Sequence, residues 1–442
     1  MEIEKKGFEQ TLSQVGPSRL SPDQAQVLAT VPEIPTYGRL FFVTGKAGTG
    51  KSTVLRKFVA ESPLKKVVLA PTGIAAINVG GQTIHSFFGF PLGPLENTIE
   101  RTHPPRQGSP KWRIMRNLDC IVIDEISMVR ADLLDAMDFS LRQVCARDEP
   151  FGGKTILVFG DLWQLEPVVS AGADVEMLSH RYQSPFFFDS EVVRQTSMDI
   201  FELSTVFRQQ DDEEFLYALN KLRRGDASEV DFFNSRYEKP LPPGNAIILT
   251  ATNQRAQHIN LTKLALLQGV GSLYEGQLEG EFGKDLPTDQ KLALKIGAQV
   301  MFVKNGKDWA NGTLGVVVGL GPDAVSVELE SGEVVNVSAE KWEKSRYTWN
   351  RVSSKIEVET VGTYTQIPLR LAWAITVHKS QGLTFDRMVI DLDVPAFAHG
   401  QLYVALSRCR TLAGISLKRK LKESDCVVHE RIWEFEKAVG LV

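Results

Sequence analysis

The stretch Gly45-Lys46-Ala47-Gly48-Thr49-Gly50-Lys51-Ser52 fits the Walker A pattern G-x-x-x-x-G-K-[ST], and it follows directly on the apolar run 40–43. A strand before it and a helix over 53–60 behind it supply the context that the pattern needs. The bland alternative, a flexible glycine-rich turn, lacks that context. Glycines let successive backbone N–H groups curl round a phosphate, and the following helix N-terminus adds positive potential. Lys51 is expected to reach the outer phosphates, and Ser52 to offer its hydroxyl to magnesium. Gly45, Ala47, Gly48, Thr49, Gly50 and Thr53 complete the expected cradle for a nucleoside triphosphate.

A 442-residue chain carrying such a loop has material for two or three domains. The net charge of −4 gives no global push toward nucleic acid, so a DNA site would be a local groove. Four scattered cysteines without C-x-x-C pairing disfavour zinc and a disulfide framework. No apolar stretch approaches the ~20 residues of a membrane span, and the polar start is no signal peptide. A cytoplasmic protein, monomeric when free, is expected.

The strand expected over 120–123 runs straight into Asp124-Glu125, as a Walker B site requires. Asp124 would hold magnesium, and Glu125 would polarise the attacking water. The strand 155–159 leads to Gly160-Asp161-Leu162-Trp163-Gln164, which places Gln164 to sense the γ-phosphate. Arg208 and Arg408 lie on later stretches, where an arginine reaching from another domain would stabilise the transferring phosphoryl group. Either arginine, taken alone, could be an ordinary ion pair. Upstream, Ser21 and Pro22 cap a helix over 25–29; Gln24 is either part of that cap or an amide that reads an adenine edge.

Loops at the carboxyl ends of parallel strands are where α/β sheets bind ligands. After the strand 65–69 these loops hold Pro71 and Thr72, then a helix over 74–79 with Asn78, then His85 and Ser86. Such small polar groups suit phosphate contacts on a single strand, and Phe87, Phe88 and Phe90 either stack bases or pack as a cluster. Asn253 stands just beyond a strand at 246–250. Residues 91–113, with five prolines and several basic side chains, read as an insertion, either a solvated loop or a projecting wedge. From about 286 to 364 short alternating runs separated by Asn-Gly and Ser-Gly turns read as a small β-barrel. Residues 373–382, with His378 and Lys379 as phosphate contacts, are expected to return to helix, and 423–442 to end in one.

Taken together, these residues resemble the PIF-type (petite integration frequency) DNA helicases of superfamily 1B, relatives of the RecD helicases. The resemblance runs from about 20 to 417 and is carried by APTGIAAINVGGQTIHSFFGF (70–90), DEISM (124–128), WAITVHKSQGLTFD (373–386) and YVALSR (403–408). It implies two RecA-like P-loop domains, with a small Src-homology-type β-barrel and a short wedge inserted. Residues 1–19 would be a lead-in and 20–196 the first domain, with the insertion 91–113. Residues 197–258 and 362–442 would form the second domain, and 259–361 the inserted one. Gln24 resembles the adenine-reading glutamine. Lys51, Ser52, Asp124, Glu125 and Gln164 match the phosphate, metal, base and sensor residues, and Arg208 and Arg408 the two arginine fingers. Pro71, Thr72, His85, His378 and Lys379 fall in blocks that line the DNA path. The implied activity is ATP- and magnesium-dependent 5′-to-3′ movement on single-stranded DNA, with unwinding of forks, DNA–RNA hybrids and G-quadruplexes. A translocase that strips proteins without separating strands is the alternative. The chain departs from the family pattern at Leu162-Trp163 and Glu166, where aromatic and proline residues are usual.

Overall fold

Strands buried on both faces of a parallel sheet read as near-continuous apolar runs, and four such runs form the centre of the first sheet. The computed structural model describes residues 20–31, 38–169, 173–209, 212–283, 286–353, 355–392 and 398–441, so the expected lead-in 1–19 lies outside the described residues. Strands β1 (Leu40–Gly45), β2 (Lys66–Ala70), β3 (Gln82–Thr83), β4 (Cys120–Ile123), β5 (Thr155–Phe159) and β6 (Met198–Leu203) lie in the order β3-β2-β4-β5-β1-β6. All are parallel. The helix Lys51–Glu61 buries Val54, Leu55 and Phe58, the i, i+1, i+4 face of a helix lying on a sheet. Because β6 pairs along the whole of β1, the first domain runs past the boundary expected at 196.

A second parallel sheet holds the strands Ala374–Thr376, Ile247–Thr250, Met388–Asp391 and Ile415–Leu417 in that order. It has its own core, including Phe215, Leu219, Phe233, Leu249 and Ile390. Residues 373–382 are therefore not a helix. Ala374–Thr376 pairs with Ile248–Thr250, and a short 3-10 turn at His378–Ser380 follows. The β-branched run Ile375-Thr376-Val377 is fully buried, and central-strand pairing satisfies its backbone where an amphipathic helix would expose half of it.

Between these halves lies an antiparallel unit. Five strands, from Val334–Ser338 through Ala324–Leu329, Leu314–Leu320 and Gln299–Phe302 to Leu369–Leu371, enclose a separate valine-rich core. A two-stranded ladder stands apart from them, so among the described residues the hydrogen bonding does not run round a closed ring.

Two segments cross between domains. The hairpin Glu340–Asn350 and Lys355–Gln366 reaches over the first domain, packing Tyr347, Trp349 and Ile356 on its core. Strand β3 pairs only with Leu69 and Ala70, and the Val68 N–H left open at that edge donates to the Tyr347 hydroxyl at 2.9 Å. The helix Glu430–Ala438 also returns to the first domain, burying Ile432 and Phe435 in its core rather than closing the second. The insertion 91–113 is neither loose nor wholly solvated. Leu95 is fully buried, its N–H donates to Asp132, and Leu92 and Ile99 face outward. Among the described residues no helix is long and apolar enough to cross a membrane.

Candidate active site

The Walker A loop turns at the carboxyl end of β1 with Gly48 and Gly50 in left-handed conformations, φ +83° and +81°. Both are places of close approach. A Cβ on Gly48 would fall 2.7 Å from the Arg208 side chain, and one on Gly50 2.5 Å from Gln24 Nε2. Lys51 curls back so that its ammonium donates to the carbonyls of Gly45 and Lys46, at 2.7 and 3.1 Å. Gln24 Nε2 donates to Thr49 O at 3.0 Å, and its Oε1 accepts from the Ser21 N–H at 3.2 Å. The amide read as an adenine contact is thus built into the loop's support.

A cavity of about 600 Å³ opens on this loop, lined by Ala47–Ser52, Glu125, Gln164, Arg208 and Arg408. Five candidates distant in sequence therefore share one wall. Glu125 sits at φ +53°, a strained backbone that turns it out of the end of β4. Burial pushes its carboxyl pKa upward, against the pull of Lys51 and Arg408. Burial, with the charge of Glu125 beside it, pushes Asp124 up to about 7. Burial likewise draws the Lys51 ammonium downward, opposed first by Asp161. Arg208 donates to Ser407 O at 3.1 Å, and burial together with the charge of Arg408 lowers it to about 9. Arg408 is 2% exposed and is held by Val404 O and Ser407 Oγ. Such crowded cations with depleted partners favour a polyanion in the cavity.

Ser52 and Asp124 also line an adjoining cavity of about 440 Å³ with Glu125. Hard oxygen donors beside a phosphate loop fit magnesium, which takes one or two carboxylates and completes its shell with phosphates and water. Among the described residues no cluster of three or more acidic, His or Cys side chains could hold a metal ion.

The second group of candidates lines a cleft between the first domain and the inserted unit. Pro71, Thr72, His85 and Lys379 border a space of about 630 Å³. Thr72, Asn78, His378 and Lys379 border the 440 Å³ space that Ser52, Asp124 and Glu125 also line, so Thr72 and Lys379 join the cleft to it. Burial lowers the pKa of both His85 and His378. Ser86 and Asn253 are exposed and line neither space, the first accepting from Gln82 and the second opening the helix Asn253–Leu266. Phe88 must be corrected: it is 1% exposed, stacked on Phe90 at 5.1 Å and set edge-on to Phe87, so no base can reach it. Phe88→Ala should accordingly cost about 3–5 kcal/mol in chemical denaturation; a loss near zero would restore it to the surface.

Sequence reasoning passed over Arg370, Asn305 and Asn311, which line these spaces. The asparagines lie in the inserted unit, and each opens an Asn-Gly pair, Asn305-Gly306 and Asn311-Gly312, which was the available signal. Arg370 gave none, because its partners, Pro287 O at 3.1 Å and the Lys379 side of the cleft, come together only in the fold.

Comparison with known proteins gives a consistent answer. Residues 19–231 match the family profile described as PIF1-like helicase, and 371–416 that of the UvrD-like helicase C-terminal domain. The chain is 34% identical to the ATP-dependent DNA helicase Pif1 of Bdellovibrio bacteriovorus, over 90% of its own length and 87% of that protein. It is 35% identical to the human ATP-dependent DNA helicase PIF1, over 90% of its own length and 60% of that one. The chain thus spans about 60% of the vertebrate relatives it matches. The crystal structure of Bacteroides sp Pif1 in complex with ADP-AlF4 superposes with a TM-score of 0.87 at 36% identity, covering 96% of this chain and 97% of that one. Bacteroides Pif1 bound to ssDNA gives 0.68 at the same identity, covering 95% and 97%.

Proposed function

Because the chain belongs to the PIF1-like helicase family, we propose that it is an ATP-dependent DNA helicase that moves 5′-to-3′ on single-stranded DNA and opens forked duplexes, DNA–RNA hybrids and G-quadruplexes. The observation that carries this reading is the shared wall of the Walker A cavity. Glu125 and Gln164 come to it from the first domain, and Arg408 comes from the second. Hydrolysis at such a site depends on closure of the two halves, and that dependence turns an ATPase into a motor.

ATP is the nucleotide, and magnesium would be held by Ser52 and Asp124 and would spread charge off the β- and γ-phosphates. Lys51 would exchange its loop carbonyls for those phosphates, Glu125 would take the proton of the attacking water, and Gln164 would orient that water. The cleft lined by Thr72, His85, His378, Lys379 and Arg370 is the route we assign to single-stranded DNA. Arg370 is partly buried and Lys379 exposed, desolvation draws the pKa of both downward, and cations on a cleft wall suit phosphate.

The test is unwinding of matched duplexes carrying either a 5′ or a 3′ single-stranded tail, with ATP and magnesium. Strand separation is expected only from the 5′ tail, and Lys51→Ala should abolish it. Activity from the 3′ tail alone would overturn the polarity, and DNA-stimulated ATP hydrolysis without unwinding would leave a translocase.

A further inference from the structure

The sensor glutamine does not stand by itself. Gln164 Nε2 donates to Asp161 Oδ2 at 3.2 Å, which makes the carbonyl Oε1 the end presented to the cavity. Asp161 is fully buried, and its other oxygen, Oδ1, accepts from the Trp163 N–H at 3.2 Å and from Arg223 at 2.7 Å. Arg223 ends the helix Glu213–Arg223, whose Phe215, Leu219 and Leu222 belong to the second domain's core. It is 3% exposed, and its guanidinium lies over the Trp163 ring at 5.7 Å. The Trp163 indole donates to Glu436 on the helix that returns to the first domain.

An ion pair this deeply buried recovers little net stability, because desolvating both charges offsets their attraction. Two apolar side chains would fill the same space at least as well. What the pair does supply is a fixed carboxylate, with one oxygen held by the opposite domain and the other left for the sensor amide.

We propose that Arg223 is a positioning residue for ATP hydrolysis: reaching from the second domain, it clamps Asp161 and so aligns Gln164 only while the two domains are closed. A second contact follows the same geometry, since the Ala47 N–H of the phosphate loop donates to the hydroxyl of Tyr403, also from the second domain, at 3.1 Å. Closure is then registered behind the γ-phosphate as well as by the arginines in front of it. The inference rests on reading the Walker A cavity as an ATPase centre.

The experiment is steady-state, DNA-stimulated ATP hydrolysis by the full chain carrying Arg223→Lys, Gln164→Ala or both. Lysine keeps the charge but cannot hold the guanidinium's place on both Asp161 and Trp163. Arg223→Lys should lower kcat about tenfold with KM for ATP changed less than about twofold, and it should add nothing in the Gln164→Ala background. A general structural defect would instead multiply with Gln164→Ala. Should Arg223→Lys fail to fold, Asp161→Asn with Arg223→Gln replaces the charged pair by two amides, leaves no lone buried charge, and should show the same dependence on Gln164. A wild-type kcat in Arg223→Lys, or full multiplicative losses, would overturn the proposal and leave the ATPase reading standing. A wild-type chain without ATP turnover would overturn both.

Discussion

Glu125→Gln is expected to bind ATP as the parent does and to hydrolyse it at least ~10²-fold more slowly. The substitution keeps size and shape, so the strained turn after β4 and the buried packing around it should persist. What it removes is the carboxylate proposed to accept the proton of the attacking water. The surroundings of Glu125 make this a clean test. Burial raises its proton affinity, and the neighbouring charges of Lys51 and Arg408 pull the other way. Binding would be followed with a fluorescent ATP analogue and turnover by phosphate release. Unchanged turnover would remove the base assignment, and lost binding would mean that the substitution had disturbed the loop instead.

Arg408→Ala should be more damaging still, lowering DNA-stimulated ATPase by ~10³-fold or more. Its guanidinium is 2% exposed, is positioned by Val404 O and Ser407 Oγ, and lines the cavity beside Glu125. As the proposed finger from the second domain it would contribute mainly in the transition state, so kcat should fall much further than affinity for ATP. Because a buried arginine also supports the structure, Arg408→Lys should be measured alongside. It retains the charge at a site that calls for a planar fork and should recover the melting temperature more than the rate. Equal recovery of both, or a loss of less than tenfold in Arg408→Ala, would make Arg408 a structural residue.

The parts of this molecule that were legible in sequence are those whose signals are local. The Walker A loop, the strand Cys120–Ile123 ending in Asp124-Glu125 and the strand Thr155–Phe159 are short apolar runs followed at once by their chemistry. The two later strands have the bounds expected of them, whereas β1 runs on to Gly45 and the helix behind the loop begins at Lys51 and ends at Glu61. The misread segment 373–382 opens on the short apolar run 373–377, and a buried strand and a buried helix look alike over that length. Only pairing with Ile247–Thr250 decides it. Phe88 failed for a related reason: an aromatic cluster has the same composition whether it stacks bases or itself, and the ring contacts to Phe87 and Phe90 arise in the fold. Partners far apart in the chain, such as Asp161 with Arg223 and Val68 with Tyr347, left no trace in spacing at all.

The return of the helix Glu430–Ala438 to the first domain also sets an order of events during synthesis. Trp163 and Glu436 are 273 residues apart, so at the ~5–20 residues per second of a ribosome the indole waits roughly 15–55 s for its partner. Through that interval the face later covered by Ile432 and Phe435 stands open to water. The half that carries the Walker A loop thus precedes the second domain in synthesis and is completed only after it, with that apolar face uncovered in between.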